Sequence, residues 1–247
     1  MRKFFVESDQ IIEDKIFILD KDVKHIRDVL RLRTGDRIEI SCDGVIYLCQ
    51  IDDILRDKVI LDILSNSKGE NEPEIEIVLF QGLAKSNKMD FIIQKGTEIG
   101  IKDFYGVITD RTIVKIKDIK KEKNKISRWD LIAEEAAKQS KRDYIPKIKG
   151  IISFDEMIEL IKDEESIIVP YEDEENLSIG NGLRNIKSKK INLIIGPEGG
   201  FEPDEIQKIE DIGGKIVSLG PRILRTETAG FVSATIILYE LGKLGVI

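Results

Sequence analysis

The chain has little of the chemistry that histidine and cysteine supply. Among 247 residues there are one histidine and two cysteines. Cys42 and Cys49 flank Asp43-Gly44, a dipeptide typical of a two-residue hairpin turn, which would place Cys42 opposite Val45 and Cys49 opposite Ile38. The sequence therefore predicts two free thiols in a reducing compartment, with neither a disulfide nor a Cys/His metal site.

Long apolar segments are also missing. No apolar run approaches the roughly 18 residues that a membrane-spanning helix needs, and the N-terminal MRKFFVESDQ has neither the apolar core nor the cleavage site of a secretory signal. At 41% hydrophobic and 34% charged residues, the composition is that of a folded protein with a sizeable core. We expect a cytoplasmic protein without membrane contact.

Positive charge is scarce overall but concentrated. The net charge is −7, yet basic residues outnumber acidic ones 13 to 6 between Arg111 and Lys149. A second basic cluster lies near the N-terminus and comprises Lys21, Lys24, Arg27, Arg31, Arg33 and Arg37. A solvated surface explains any single lysine, but two clusters on an acidic chain favour binding to a polyanion such as RNA.

The order of predicted elements indicates two domains. Residues 1–72 read as short strands with one helix around Val23 to Leu30, which is typical of a small β-barrel. The polar stretch 65–74 is the predicted linker. Residues 73–247 alternate strands with helices, a pattern that predicts an α/β layer with a largely parallel sheet. Strands are expected at 75–80, 104–108, 166–169, 192–195 and 215–219, and helices from Asn87, from Ser127 and over 227–241.

A glycine-rich turn follows one of these strands, in INLIIGPEGGFEPDEI at residues 191–206. Such turns often hold phosphate on backbone N–H groups. Here Glu198 lies in the turn, and Glu202, Asp204 and Glu205 crowd the next helix start, so a phosphate would be repelled. The turn is therefore predicted to hold a neutral or partly cationic ligand through its backbone.

Two further loops and one helix entry carry residues that are unusual for their positions. Pro170-Tyr171 follows a strand, and in LGPRILRTETAG the residues Arg222 and Arg225 precede the last helix, where cations oppose the dipole. Lys85 and Lys88 lie at the entry of an earlier helix. Binding of an anionic substrate explains the positions of these two arginines and two lysines, and salt bridges to nearby acids are the alternative.

These motifs together resemble a known family. GPEGGF with the following Pro-Asp-Glu-Ile, LGPRILRTETA, KMDFIIQKGTEIGI, EEAAKQSKR and HIRDVLRLRTGD are similar, in order and spacing, to the bacterial small-subunit ribosomal RNA (uridine-N3) methyltransferases, the RsmE type of the SPOUT superfamily. Glu202 departs from the pattern, because Ser or Thr is expected there as the helix cap.

The resemblance implies a fold and a cofactor. A PUA-like RNA-binding β-barrel is expected over 1–72, and a SPOUT-type α/β domain with a trefoil knot over 73–247. S-adenosylmethionine would bind within about 166–230, without a metal, and its positive sulfur would make Glu198 tolerable. The implied donor-binding residues are Pro170, Tyr171, Ile195, Gly196, Pro197, Glu198, Gly199, Gly200, Leu219, Gly220, Ile223, Leu224, Arg225 and Thr226.

The resemblance also implies the reaction, which is methylation of uridine N3 in 16S ribosomal RNA, within the small ribosomal subunit, by a homodimer. N3 must lose a proton before it attacks the methyl carbon. Arg225 is predicted to stabilise the resulting charge, and Glu98, Glu227 or solvent to accept the proton, whereas His25 is expected to be structural or to contact RNA. Predicted RNA contacts are Arg27, Arg31, Lys85, Lys88, Lys141 and Arg142.

Two other functions remain open at this stage. A non-catalytic ribosome-assembly factor would bind RNA through the same basic clusters but would not bind S-adenosylmethionine. A nucleotide-binding α/β enzyme would need a phosphate site, and the acidic glycine turn speaks against one.

Overall fold

The structure, a computed structural model, describes residues 2–85, 87–114 and 119–242, without the side chains of residues 119–121. It divides into two compact units. The first unit comprises Met1–Glu72 and Lys138–Tyr144, and the second comprises Pro73–Ala137 and Ile145–Ile247. Within the described ranges, no helix is both long and apolar enough to span a bilayer.

The first unit is a six-stranded sheet. Its strand order is β1-β4-β5-β6-β3-β2. Alternate side chains of β3 and β4, including Ile16, Ile18, Ile38 and Ile40, are fully buried in one core, as the period of a strand requires. The strands are β1 (Lys3–Phe5), β2 (Ile11–Ile12), β3 (Lys15–Leu19), β4 (Arg37–Cys42), β5 (Val45–Ile54) and β6 (Lys58–Lys68), with helix α1 (Asp20–Lys24) and a π-helical turn (His25–Val29) after β3.

The hairpin between β4 and β5 has the predicted register. Cys42 pairs with Val45 and Cys49 pairs with Ile38, and both thiols are free and buried. The turn residues Asp43 and Gly44 have φ values of 45° and 83°, which suit the primed turn of a tight hairpin. The prediction of two separated cysteines is confirmed.

The predicted linker over 65–74 is wrong in its first part. β6 continues to Lys68, and Ser65 to Lys68 pair with Leu48 to Val45 of β5. The side chains of this stretch are exposed, so its polar composition does not oppose the strand. Backbone pairing with the long β5 decides the structure here, because composition reports side-chain burial and not hydrogen bonding.

Lys138–Tyr144 is held in the first unit by a cluster of charged groups, which we call the Asp143 cluster. The Asp143 carboxylate is buried, forms an ion pair with Lys3 and accepts the Asn71 N–H at 2.8 Å. The Glu72 carboxylate accepts the Asp143 N–H at 2.9 Å and Arg142 Nε at 3.2 Å. Each buried charge therefore has a partner, as burial requires.

The second unit is a six-stranded parallel sheet covered by helices. The strand order is β12-β10-β11-β7-β8-β9, and two separate hydrophobic clusters lie on it. The strands are β7 (Glu76–Gly82), β8 (Asp103–Ile108), β9 (Lys147–Ser153), β10 (Ile167–Pro170), β11 (Lys190–Ile195) and β12 (Lys215–Val217). The helices are α2 (Asn87–Ile99), α3 (Ile119–Gln139), α4 (Phe154–Ile161), α5 (Ile179–Leu183), α6 (Pro203–Asp211) and α7 (Thr226–Leu241).

Two predictions for this unit differ from the structure. The helix expected from Ser127 begins at Ile119, so that Ser127 lies inside α3; the preceding Lys- and Glu-rich residues are themselves good helix formers. The sequence analysis did not find β9 or α4. β9 lies at the edge of the sheet with half-buried residues, and its lysines weaken the apolar signal.

The parallel sheet decides where a ligand can bind. The residues that follow β7, β8, β10, β11 and β12 leave the sheet at the same edge, since all neighbouring pairs are parallel. Ligands of open α/β sheets bind at this carboxyl edge. We call residues 196–200 after β11 the glycine turn, residues 170–175 at the end of β10 the Pro170 loop, and residues 220–225 after β12 the Arg225 loop. The fold therefore brings these three segments together.

Candidate functional site

Two adjacent cavities lie at the carboxyl edge of the parallel sheet. The larger has a volume of about 470 Å³ and the smaller about 280 Å³, sizes that suit small-molecule binding. Both are lined by Pro170, Glu172, Ile223, Leu224 and Ala229. A ligand too long for one cavity can therefore extend into the other.

Nearly all of the predicted donor-binding residues line these cavities. Tyr171, Leu219 and Gly220 line the larger cavity, and the glycine turn, Arg225 and Thr226 line the smaller one. Gly199 is the exception and lines neither. A Cβ atom on Gly199 would lie 3.0 Å from Arg111 Cβ, so this glycine allows the turn to approach a neighbouring loop.

Close backbone approach explains two other glycines. Gly200 has φ +70°, and a Cβ there would lie 2.6 Å from Glu172 Oε1. A Cβ on Gly82, at the end of β7, would lie 2.4 Å from the backbone nitrogen of Pro197. The backbone contact at Gly82 leaves no room for a side chain, and the left-handed φ of Gly200 favours glycine there.

Hydrogen bonds fasten the glycine turn to the start of α7. The Thr226 hydroxyl donates to the Gly196 carbonyl at 2.6 Å, and Gln81 Nε2 donates to Thr226 Oγ1 at 2.8 Å. Gln81 is fully buried at the end of β7. Gln81 was not among the predicted site residues; an amide near the end of an otherwise apolar strand was the available signal.

Arg111 is a second residue that the sequence analysis missed. It follows β8 and donates to both carboxylate oxygens of Glu202, at 2.8 and 2.9 Å, and to the Gly199 carbonyl at 3.1 Å. The hydrogen bonds raise the pKa of Arg111 and lower the pKa of Glu202 from their ordinary values. The bidentate pair with Glu202 and the bond to Gly199 together hold the loop that follows β8 (the β8 loop) against the glycine turn.

The start of α6 does not need the Ser or Thr expected at position 202. The buried Glu205 carboxylate accepts the Glu202 N–H at 2.9 Å and the Asp110 N–H at 3.0 Å. Pro203 is the first residue of the helix, a position that suits proline. The capping function is thus carried by Glu205, and Glu202 is free to bind Arg111.

Lys88 lies between two carboxylates beside the smaller cavity. Its Nζ is 3.4 Å from Glu198 Oε1 and 3.1 Å from Glu227 Oε2. Burial alone would lower the pKa of Lys88, but its hydrogen bonds to the two carboxylates raise it above the ordinary value. Burial would raise the pKa of Glu198, but the Lys85 N–H at 3.0 Å and Lys88 hold it below the ordinary value.

Arg225 is a highly exposed charge at the smaller cavity. It is the N-cap of α7, and its side chain is 82% exposed, with Nη1 4.0 Å from Glu227 Oε1. Lys88 is bound more closely to the same carboxylate. The Arg225 guanidinium therefore keeps most of its hydrogen-bonding capacity for a ligand.

Glu98 lies elsewhere. It is near the C-terminal end of α2, both carboxylate oxygens accept from Lys95 Nζ at 2.8 Å, and it lines neither cavity. Glu227 is 16% exposed, next to the cavity-lining Thr226. Of the two predicted proton acceptors, the structure places only Glu227 beside the site.

The predicted RNA contacts differ in how available they are. Lys85, Arg31 and Lys141 are exposed, and Arg27 is paired with the adjacent Asp28. Arg142 is only 3% exposed and is engaged by Glu72, which corrects its prediction as an RNA contact. Lys115 and Lys117 of the basic stretch lie outside the described residues, as do the side chains of Lys120 and Lys121.

Comparison with known proteins gives matches to both units. An RNA methyltransferase domain model matches residues 70–238, and an RNA methyltransferase PUA domain model matches residues 18–64. The ribosomal RNA small subunit methyltransferase E of Bacillus subtilis (strain 168) is 34% identical over 250 residues, which cover 97% of this chain and 97% of that protein.

Solved structures agree. The Neisseria gonorrhoeae ribosomal RNA small subunit methyltransferase E, bound to S-adenosylmethionine, superposes with a TM-score of 0.84 and 27% identity over 99% of both chains. A putative methyltransferase from Legionella pneumophila in complex with the same cofactor has a TM-score of 0.77 and 26% identity over 96% of both chains. The predicted fold class, a PUA-like sheet followed by a SPOUT-type α/β domain, is confirmed.

Proposed function

The chain belongs to the ribosomal RNA small subunit methyltransferase E family, and on that premise we propose that it methylates uridine N3 in 16S ribosomal RNA with S-adenosylmethionine as donor. One observation carries the proposal. The glycine turn, the Pro170 loop and the Arg225 loop meet around two adjacent cavities that share lining residues, at the edge where a parallel sheet binds its ligand.

The residues present fit this donor. Both cavities have carboxylates in their walls, including Glu172 in each and Glu198 in the smaller, which suits a cationic sulfonium and opposes a polyphosphate. Leu219, Ile223 and Leu224 line the larger cavity and offer backbone groups for an adenine. Gly200 lets the turn accept a ligand close to its backbone.

We assign the catalytic work to groups at the smaller cavity. S-adenosylmethionine, when bound, supplies an electrophilic methyl carbon whose bond to sulfur breaks as the bond to N3 forms. Arg225 stabilises the negative charge that develops on the uracil oxygens once N3 has lost its proton. Glu227, held by Lys88 at 3.1 Å, is the nearest of the proposed proton acceptors, and solvent is the alternative.

Exposed basic residues support RNA as the substrate. Arg27, Arg31 and Lys141 belong to the first unit, and Lys85 belongs to the second. Contacts between such side chains and phosphates are independent of base sequence and are weakened by salt. We keep these four residues as proposed RNA contacts. We remove Arg142, which Glu72 engages, and Lys88, which Glu198 and Glu227 engage.

We also propose a cytoplasmic homodimer. Ile223 is 86% exposed beside the cavities, Tyr239 of α7 is 69% exposed, and Phe91 of α2 is 39% exposed and contacts Phe231. Exposed apolar side chains of this kind support an interface between two copies. Sedimentation equilibrium of the full chain tests this directly, with a monomer mass at micromolar concentration counting against it.

Small-subunit RNA from a strain that lacks the enzyme is the substrate with which to test the reaction. The full chain and S-adenosylmethionine should together produce N3-methyluridine, detected by mass spectrometry of the nucleosides. RNA binding without methyl transfer, and without donor binding in calorimetry, would instead support the assembly factor. The family comparisons favour the catalytic function.

A further inference from the structure

Glu172 lies where the two cavities meet. It follows β10 by two residues and lines both cavities, whereas Glu174 and Glu175 line only the larger one and Glu198 only the smaller one. A ligand that extends from one cavity into the other passes the Glu172 carboxylate. This acid is therefore better placed than its neighbours to influence the middle of an elongated ligand.

The Glu172 carboxylate lies close to the backbone of Gly200. Oε1 of Glu172 is 2.6 Å from the point that a Cβ on Gly200 would occupy. Gly200 also has a left-handed φ of +70°, which glycine adopts without strain. Because the turn has no side chain at this point, the carboxylate lies directly against its backbone.

Glu172 also differs from the other acids around the site in its bonding. Glu198 and Glu227 are engaged by Lys88, and Glu202 is engaged by Arg111. In the described part of the chain, Glu172 has neither a hydrogen bond nor an ion pair. Its electrostatic interactions are with the neighbouring Tyr171 and with Arg111, whose guanidinium is bound to Glu202. Its charge therefore remains available to a ligand.

We propose that Glu172 is a specificity-determining residue that favours the cationic donor over the product. This inference rests on the proposed function. S-adenosylmethionine carries a sulfonium charge, and S-adenosylhomocysteine has lost it. A carboxylate at the junction of the cavities attracts the first more strongly than the second, so the spent nucleoside is more readily replaced by fresh donor.

Isothermal titration calorimetry of the full chain with each nucleoside tests this inference. Glu172→Gln keeps the size of the side chain and removes its charge. We expect a roughly fivefold loss of affinity for S-adenosylmethionine, the size of an ion pair near the surface, and no change for S-adenosylhomocysteine. Because Glu172 is exposed, the variant should keep its melting temperature.

Glu210→Gln is the matched control, since it makes the same change in net charge on α6 and lines neither cavity. Both affinities should equal those of the wild type. A salt series on the wild type gives a second measure: its preference for the donor should fall as salt screens the carboxylate.

Equal losses for both nucleosides in Glu172→Gln would overturn the inference, because they would indicate a contact with the shared ribose or a structural role. Unchanged affinities would overturn it as well. A wild-type chain that bound neither nucleoside would contradict the proposed function itself, and this result is visible before any variant is compared.

Discussion

At the residue scale, the charged side chains around the cavities fall into two groups: those already paired with another side chain of this protein and those that remain exposed. Lys88 and Arg111 are bound to carboxylates of this chain, whereas the Arg225 side chain is 82% exposed. Sequence position alone does not make this distinction, because all three are cations close to helix starts or strand ends. The structure thus leaves Arg225 as the cation best placed to act on a substrate.

Arg225→Ala should abolish methyl transfer to RNA and leave the fold intact. The side chain is exposed and packs little, so its loss removes charge stabilisation in the transition state rather than core contacts. A radiolabelled methyl-transfer assay measures the activity, and thermal melting measures the fold. Retention of full activity would show that the assignment is wrong.

Arg111→Ala should weaken donor binding roughly fivefold, because the glycine turn loses its bonds to the β8 loop. Titration calorimetry with S-adenosylmethionine measures the change. Lys208→Ala serves as the control, since it removes an exposed ion pair of α6 with Asp155 without touching the turn. If both variants bind the donor as the wild type does, Arg111 does not position the turn.

At the element scale, the site depends on hydrogen bonds between loops. Gln81 is the penultimate residue of β7, Thr226 begins α7 and Gly196 follows β11, so one hydroxyl connects three elements. Periodicity in the sequence predicts that strands and helices exist, and it predicted the start of α2 at Asn87 correctly. It carries no signal for a bond between residues 30 positions apart.

Thr226→Val should lower the free energy of unfolding by about 1–2 kcal/mol and weaken donor binding, because Gln81 and the Gly196 carbonyl lose a buried partner. Urea denaturation and calorimetry measure the two effects. Thr226→Ser keeps the hydroxyl and should stay close to the wild type in both. A valine variant as stable as the serine variant would contradict the role of this bond.

The element boundaries that were wrong have a common cause. β6 extends through polar residues because β5 pairs with it, and β9 joins the sheet as an edge strand beside β8. In both cases the deciding interaction is backbone pairing with a neighbouring strand of the sheet, which local composition does not report. The strands buried on both faces, such as β7 and β11, were predicted within a few residues.

At the scale of the whole molecule, the lining of the two cavities was largely predictable because motifs of glycine, proline and charge follow buried strands. All predicted donor-binding residues except Gly199 line the two cavities. What the sequence did not show is the assignment of Lys138–Tyr144 to the first unit. Arg142 looked like part of a basic surface for this reason, although Glu72 engages it.

Asp143→Ala should lower the free energy of unfolding by about 3 kcal/mol, because a buried ion pair loses one partner. Burial alone would raise the Asp143 pKa, but Lys3 and Asn71 hold it below the ordinary 3.8. The carboxylate therefore stabilises the fold above pH 3.8, and this contribution is lost as the pH falls through the lowered pKa.

Urea denaturation at neutral pH measures the loss. Asp155→Ala, which removes an exposed partner of Lys208, should cost well under about 1 kcal/mol. Equal effects of the two substitutions would show that the Asp143 cluster is no stronger than a surface pair.

The non-contiguous make-up of the first unit has a consequence for biosynthesis. Glu72 and Asn71 leave the ribosome long before Asp143 and Arg142, their partners in the Asp143 cluster. The amino-terminal unit can thus complete its folding only when translation has passed Tyr144, after α2 and α3 have been made. In a nascent chain stalled at residue 137, the amino-terminal unit would remain incompletely folded and sensitive to proteases.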